Sequence, residues 1–239
     1  MQEGTIHILS TRPLDGELVR HAAGQRIVID TIALIHTETV MNDELRKEVT
    51  ALSSVPATVV FTSMNAVKAV AALIDNNHPQ WNIYCLGEAT VELVRKQFHL
   101  SCVITTAASG SELADKIIEE GHINEAVFFC GDQRRPELPQ KLREHKIAVN
   151  EVIVYRTKLT PAKISRQYNG ILFFSPSAVE SFFSANTVNA QTILFAIGKT
   201  TGNTIKKFSS NEVITAEKPG KNVLAQKAID HFTTQRSCN

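Results

Sequence analysis

The stretch Arg26-Ile27-Val28-Ile29-Asp30-Thr31-Ile32-Ala33-Leu34-Ile35-His36-Thr37 aligns without a gap on Lys146-Ile147-Ala148-Val149-Asn150-Glu151-Val152-Ile153-Val154-Tyr155-Arg156-Thr157, at an offset of 120 residues. Three further pairs follow in the same order. Phe61-Thr62-Ser63-Met64-Asn65-Ala66-Val67 matches Phe173-Phe174-Ser175-Pro176-Ser177-Ala178-Val179 at offset 112. Gly87-x-x-Thr90 matches Gly198-x-x-Thr201 at 111, and Val103-Ile104-Thr105 matches Val213-Ile214-Thr215 at 110. The offset drifts slowly while the order holds, as a duplicated half with small loop deletions would give. A two-fold repeat of this length predicts two similar domains rather than a solenoid. Two lobes leave a cleft between them, and clefts at domain interfaces are common ligand sites.

Outward from the repeat, short apolar runs alternate with amphipathic ones, the pattern of parallel sheets flanked by helices. Strands are predicted at Ile6–Leu9, Ile27–Ile35, Thr58–Phe61, Ile83–Leu86, Ala126–Cys130, Ile147–Tyr155, Ile171–Phe174, Ile193–Ile197 and Glu212–Thr215. Helices are predicted at Asp15–Ala23, Asn65–Ile74, Glu88–Gln97, Ser111–Glu120, Ala178–Ala185, Thr200–Phe208 and Lys221–Phe232. Pro136 suits the first residue of another, where its missing N–H costs nothing. The polar stretches Thr37-Glu38-Thr39 and Thr157-Lys158-Leu159-Thr160-Pro161 are candidate crossings between domains, which would insert one domain into the other. A tandem arrangement cut near Gly121 fits the repeat equally well.

Composition bounds the function. With 239 residues, 43% hydrophobic and 21% charged, the chain is globular and large enough for one or two cores. A net charge of +1 argues against a nucleic-acid coat or a polybasic membrane patch. The start Met1-Gln2-Glu3-Gly4-Thr5 does not read as a signal peptide, and no apolar run approaches the roughly 20 residues of a spanning helix. Cys85, Cys102, Cys130 and Cys238 lack C-x-x-C spacing, so reduced thiols in a cytoplasmic protein are expected.

Four segments place hydroxyls where a strand meets a helix: Thr62-Ser63, Gly87-x-x-Thr90, Ser175-Pro176-Ser177 and Gly198-Lys199-Thr200-Thr201. Any one of them alone reads as an ordinary N-cap. Four of them, in repeat-related pairs, point to an anionic ligand held by free helix N–H groups at the carboxyl ends of strands. Gly198-Lys199-Thr200 is not a P-loop, because Ile193 stands where the motif needs glycine. There is no H-E-x-x-H, no Cys/His cluster with zinc spacing and no G-x-S-x-G, so neither metal nor serine-hydrolase chemistry is expected. The copies differ most usefully at Tyr155 for Ile35, Arg156 for His36 and Lys199 for Glu88. A fold needs only an apolar residue at the first of these, so the phenol of Tyr155 suggests a task; the plain alternative is a strand-end tyrosine with a wet hydroxyl. Arg12 and Arg135 stand before predicted helices, where a guanidinium can grip carboxylates, though solvated loop arginines are commoner.

Taken together, Thr11-Arg12-Pro13, Phe61-Thr62-Ser63-x-Asn65-Ala66-Val67, Gly131-x-x-x-Arg135, Val154-Tyr155-Arg156-Thr157, Phe174-Ser175-Pro176-Ser177-Ala178-Val179 and Ile197-Gly198-Lys199-Thr200-Thr201 resemble the uroporphyrinogen-III synthase family over nearly the whole chain. The resemblance implies an α/β fold of two similar flavodoxin-like domains joined by a two-stranded linker, with a cleft between them. It implies domain limits of 1–37 with 158–239, and an inserted 38–157. It implies a cofactor-free cytoplasmic lyase of tetrapyrrole biosynthesis, expected to act as a monomer without nucleic-acid or membrane partners. Its substrate would be hydroxymethylbilane, a linear tetrapyrrole with acetate and propionate arms, cyclised with loss of water and inversion of the last ring through a spiro intermediate. The family's functional tyrosine falls on Tyr155, the proton donor to the departing hydroxyl. The family's substrate-contacting Ser/Thr turns fall on Ser63, Thr90, Ser175, Thr200 and Thr201 and its first-turn arginine on Arg12; Arg135, Ser177 and Lys199 are further candidate contacts for the carboxylate arms. The rival reading from another class is a two-lobed anion- or sugar-binding module without catalysis, since α/β lobes host many functions.

Overall fold

The computed structural model of the protein describes residues 4–74, 78–98, 103–218 and 220–237. Along the chain the elements are β1 (Ile6–Ser10), α1 (Gly16–Gly24), β2 (Ile27–Thr31), β3 (Ile35–Thr39), α2 (Asp43–Ser53), β4 (Ala57–Phe61), α3 (Met64–Leu73), β5 (Trp81–Leu86), α4 (Glu88–Phe98), β6 (Val103–Ala107) and α5 (Gly110–Glu119). There follow β7 (Glu125–Gly131), α6 (Glu137–Glu144), β8 (Ala148–Leu159), β9 (Gly170–Phe173), α7 (Pro176–Phe183), β10 (Ile193–Ala196), α8 (Lys199–Phe208), β11 (Val213–Thr215) and α9 (Lys221–Ser237). The alternation read from the sequence is therefore the architecture: α/β, with parallel sheets flanked by helices.

Two compact units emerge, one made of Met1–His36 with Lys158–Asn239 and the other of Thr37–Thr157. The first carries a five-stranded sheet in the order β11-β10-β9-β1-β2. Its four neighbour pairs are all parallel. Strand alternation sends Ile8, Leu172 and Phe195 to a core with α9 residues Leu224, Ala225, Ala228 and Ile229. Leu9, Ile171, Phe173 and Leu194 go to the opposite face against Ala178, Val179 and Phe182 of α7. The second unit carries the order β3-β8-β7-β4-β5-β6. Val59, Phe61 and Phe129 face one core with α3; Val60, Tyr84 and Phe128 face the other with α5 and α6. Each fully buried aromatic contributes about 1.5–3 kcal/mol on leaving water, which is why both faces of each sheet need helices.

In each unit the strand order reverses beside a central strand. In the first, β1 leads to β2 on one side while β9 leads to β10 and β11 on the other. In the second, β7 leads to β8 while β4 leads to β5 and β6. The crevice beyond the carboxyl ends at such a reversal is where open α/β sheets bind ligands.

Three details differ from the sequence reading. The run Ile27–Ile35 is not one strand. It stops at Thr31, and Ile32 N–H still donates to Ser10 O at 3.0 Å before the chain changes neighbours. From Ile35 it lies beside β8: Val40 N–H donates to Val154 O and Thr160 N–H to Leu34 O, an antiparallel order. Helix α2 has no counterpart in the predicted elements, although Asn42 caps it by accepting from Leu45 N–H at 2.7 Å and Leu45 and Val49 are buried. Pro136 stands at the cap of α6 rather than at its first residue. Cys85 and Cys130 are free and buried, and burial pushes their thiols up to about 12 and about 11. Cys102 and Cys238 lie outside the described residues.

Candidate functional site

In the second unit the carboxyl ends of β8, β7, β4 and β5 stand side by side, with neighbouring strands about 4.8 Å apart. Ser63 caps α3, its Oγ accepting from Asn65 N–H at 3.1 Å. Because a hydroxyl accepts and donates independently, Ser63 still has its own proton to offer. Beside it, β5 turns into α4 through Gly87, whose φ of +77° favours glycine. Thr90 in the first turn of α4 is buried, at 5% exposure.

Tyr155 reaches this edge from two strands away. Its carbonyl accepts from Asp132 N–H at 3.2 Å, its ring packs on the core around Phe61, and its hydroxyl donates to Ser63 Oγ at 3.3 Å. The ring crosses β7 directly above Gly131. A Cβ there would stand 2.4 Å from Cζ and 2.8 Å from the phenol oxygen.

The turn from Gly131 to α6 is fastened on both sides. Asp132 Oδ1 accepts from Thr157 N–H at 3.0 Å. Glu151 on β8 accepts from Arg134 Nε, and from Arg143 Nη2 at 2.7 Å. Burial raises the Glu151 carboxyl, but hydrogen bonds from these two guanidiniums outweigh it and hold the group below the usual glutamate range. The same bond holds Arg134 above its ordinary value. Arg135, next in the turn, is exposed.

The first unit offers a parallel edge. Thr11 is buried and pinned to β9, its N–H and hydroxyl both donating to Leu172 O at 3.1 and 2.8 Å. This leaves Arg12 exposed, with its guanidinium carbon 6.0 Å from the Phe174 ring centroid. Ser175 caps α7 by accepting from Ala178 N–H at 3.2 Å, with Pro176 as its first residue. Gly198 enters α8 without a side-chain cap, so the helix start is open beside exposed Lys199 and Thr200. An uncapped helix start with a lysine at its first position favours an anion.

The sequence-predicted residues thus fall in two groups. Tyr155 and Ser63 meet directly, with Arg135 on the adjoining turn and Thr90 in the first turn of α4, the helix after β5. Arg12 and Ser175 share the reversal of the other sheet, with Lys199 and Thr200 one strand further. Ser177, Thr90 and Thr201 are 6%, 5% and 3% exposed, so their hydroxyls present little surface to a ligand. Sequence reasoning quoted Phe174 and Gly131 within its motifs but gave no role to Phe174 beneath Arg12 or to Gly131 beneath Tyr155, and it missed Glu151 behind the arginine turn. A glycine at a strand end signals close approach by another group, so the role of Gly131 was visible in principle. Among the described residues no group of three His, Cys, Asp or Glu side chains stands where a metal ion could sit, and no helix is long and apolar enough to cross a membrane.

Fold and edges together define an α/β protein with helix starts at the strand-order reversal of each sheet. A family model described as uroporphyrinogen-III synthase HemD matches residues 17–226, and the chain belongs to that family. Among solved structures, uroporphyrinogen-III synthetase from Helicobacter pylori superposes with a TM-score of 0.68 at 16% identity, covering 95% of this chain and 99% of that one. A mutant uroporphyrinogen III synthase from Thermus thermophilus gives a TM-score of 0.62 at 13% identity, covering 97% and 99%. At such identities the likeness is one of fold. No individually curated protein matches in sequence. The family places the chain among the enzymes of porphyrin and heme biosynthesis.

Proposed function

We propose that the protein converts hydroxymethylbilane to uroporphyrinogen III, acting as a hydro-lyase. The observation that carries this reading is the phenol of Tyr155, held at the sheet reversal with its hydroxyl against Ser63. A pyrrole nitrogen pushes out the hydroxyl of the bilane, leaving an azafulvene. As the C–O bond breaks, the departing oxygen takes a proton from Tyr155 and leaves as water, so the azafulvene is N-protonated, and the proton shed when the last ring finally closes returns to the phenolate. The substituted carbon of the last ring then attacks the azafulvene carbon, giving the spiro intermediate whose reopening and closure invert that ring. Unassisted closure would join the ends without inversion, so holding the chain in the shape that favours attack at the substituted carbon is the larger share of the catalysis.

With a net charge of only +1, the acetate and propionate arms are met locally. In the second unit the start of α3 presents N–H groups, with the Ser63 hydroxyl and the charge of Arg135; in the first, the starts of α7 and α8 do so, with the Ser175 hydroxyl and the charges of Arg12 and Lys199. Neither a strong base nor a bound cofactor is required by this chemistry. The test is to supply hydroxymethylbilane in the presence of a chelator, oxidise the products and separate isomers I and III. Isomer III forming faster than isomer I supports the reading. Tight binding of the bilane with only isomer I at the uncatalysed rate would make the protein a binding module instead.

A further inference from the structure

We infer that Gly131, with the bulge opposite it on β8, is the positioning element that aims the Tyr155 hydroxyl at the β4–α3 turn. The inference rests on the reading of Tyr155 as proton donor. In the parallel pair β7–β8, Cys130 is opposite Ile153, but Gly131 is opposite Tyr155, so β8 advances two residues where β7 advances one. Side chains along a regular strand alternate between faces. Here Val152 and Val154 both belong to the core around Phe61, and Tyr155, immediately next, packs on that same core. The bulge has turned it from the face that alternation would give it, which is a known use of bulges beside functional sites.

Turning the side chain is not enough, because the ring must then cross β7. Only a residue without Cβ leaves room: the added atom would meet Cζ at 2.4 Å, Cε2 at 2.5 Å and the hydroxyl at 2.8 Å. Gly131 is not demanded by backbone conformation, since the positive-φ glycines among the described residues are Gly87 and Gly121. Space for the ring is the reason for glycine at this position. The atoms in the way are the far end of one side chain. An alanine therefore pushes the phenol off Ser63 while the strands stay paired.

The experiment uses the full-length chain and three variants, Gly131→Ala, Tyr155→Phe and the double change, all labelled with 3-fluorotyrosine. The expected result is that Gly131→Ala lowers kcat for isomer III by about the same factor as Tyr155→Phe, about 10²-fold, with KM nearly unchanged. The double variant should be no slower than either single one, as expected when two changes remove one interaction. In fluorine NMR the Tyr155 resonance should move in Gly131→Ala while those of Tyr84 and Tyr168 stay. An unmoved Tyr155 resonance, or losses that multiply in the double variant, overturns the inference. If Tyr155→Phe is slow while Gly131→Ala keeps full rate, the slot alone has failed. If Tyr155→Phe itself keeps full rate, the reading of Tyr155 has failed and takes the rate role of Gly131 with it.

Discussion

Tyr155 is where one residue separates the two copies of the repeat. In the first copy Ile35 is an apolar side chain packed beside the core of Phe173 and Leu194; in the second a phenol reaches Ser63. Tyr155→Phe keeps the ring and its packing and removes only the proton. The rate of isomer III formation should fall about 10²-fold, the low end for a lost general acid, because the leaving group departs readily. The melting temperature should stay close to that of the parent, and Ile35→Tyr should restore nothing. Rate and melting curve measured together decide this; full activity in the phenylalanine variant leaves positioning as the whole mechanism. The mismatch with Ile35 made Tyr155 legible in the sequence. Its partner Gly131 was not legible in the same way, because a bulge sets which residues oppose each other and a bulge leaves no mark in hydrophobic pattern. Glu151 was hidden for a related reason: its partners Arg134 and Arg143 come from the turn and helix after the neighbouring strand, a proximity that spacing along the chain does not show.

At the scale of elements, one cap carries two separable expectations. Ser175→Ala leaves the first turn of α7 without its acceptor, which should cost about 1 kcal/mol in a urea melt. If the same hydroxyl donates to a carboxylate arm, KM should also rise, roughly ten-fold for a hydrogen bond to a charged group. A loss of stability with KM unmoved would make Ser175 a cap and nothing more. The clamp of Glu151 on the β7–α6 turn gives a pH signature. Its carboxyl is held below the ordinary value, so its contribution to stability is complete above the unfolded pKa of about 4.3 and is lost as pH falls through the lowered folded value. The stability gap between the parent and Glu151→Gln should be constant near neutrality and close in acid; urea melts from pH 7 down to pH 3 would show it, and a gap that persists unchanged to pH 3 would rule the clamp out. Most helices and strands were legible because apolar runs, caps and glycine stops agree with one another. The break between β2 and β3 was not, since Ile27–Ile35 is apolar almost throughout whichever strand lies beside it. Helix α2 was legible in principle: Asn42-Asp43-Glu44-Leu45 spells a cap and an acidic first turn, with Val49 one turn beyond Leu45.

Over the whole molecule, the repeat in the sequence and the units in space do not share a boundary. Positions in the two sheets correspond: β1 and β7 stand at the reversal, β2 and β8 lie outside them, and β9, β10, β11 match β4, β5, β6. The sequence matches follow the same pairing, with Phe61 on Phe173 and Val103 on Val213. Read along the chain, the copies are in tandem. In space the first unit takes β1 and β2 from one copy and β9, β10 and β11 from the other, while the second takes β7 and β8 from the later copy and β3 to β6 from the earlier one, an exchange of like elements within one chain that resembles domain swapping. The crossings at β3 and β8 are where the exchange is made, so a cut at the tandem boundary near Gly121 should divide both sheets. Residues 1–121 hold β4 without its neighbour β7, and β1 without its neighbour β9. Residues 37–157 hold a complete sheet with helices on both faces, and both ends of that piece lie in the paired segments β3 and β8. Expressed alone, 37–157 should unfold in one cooperative step in urea, with a slope of about 1–3 kcal/mol/M. The piece 1–121, of the same length, should show no such transition. A cooperative monomeric 1–121 would mean that the tandem half closes on itself and that the exchange is a matter of chain length; an unfolded 37–157 would mean that its core, though complete in area, depends on the other unit for stability.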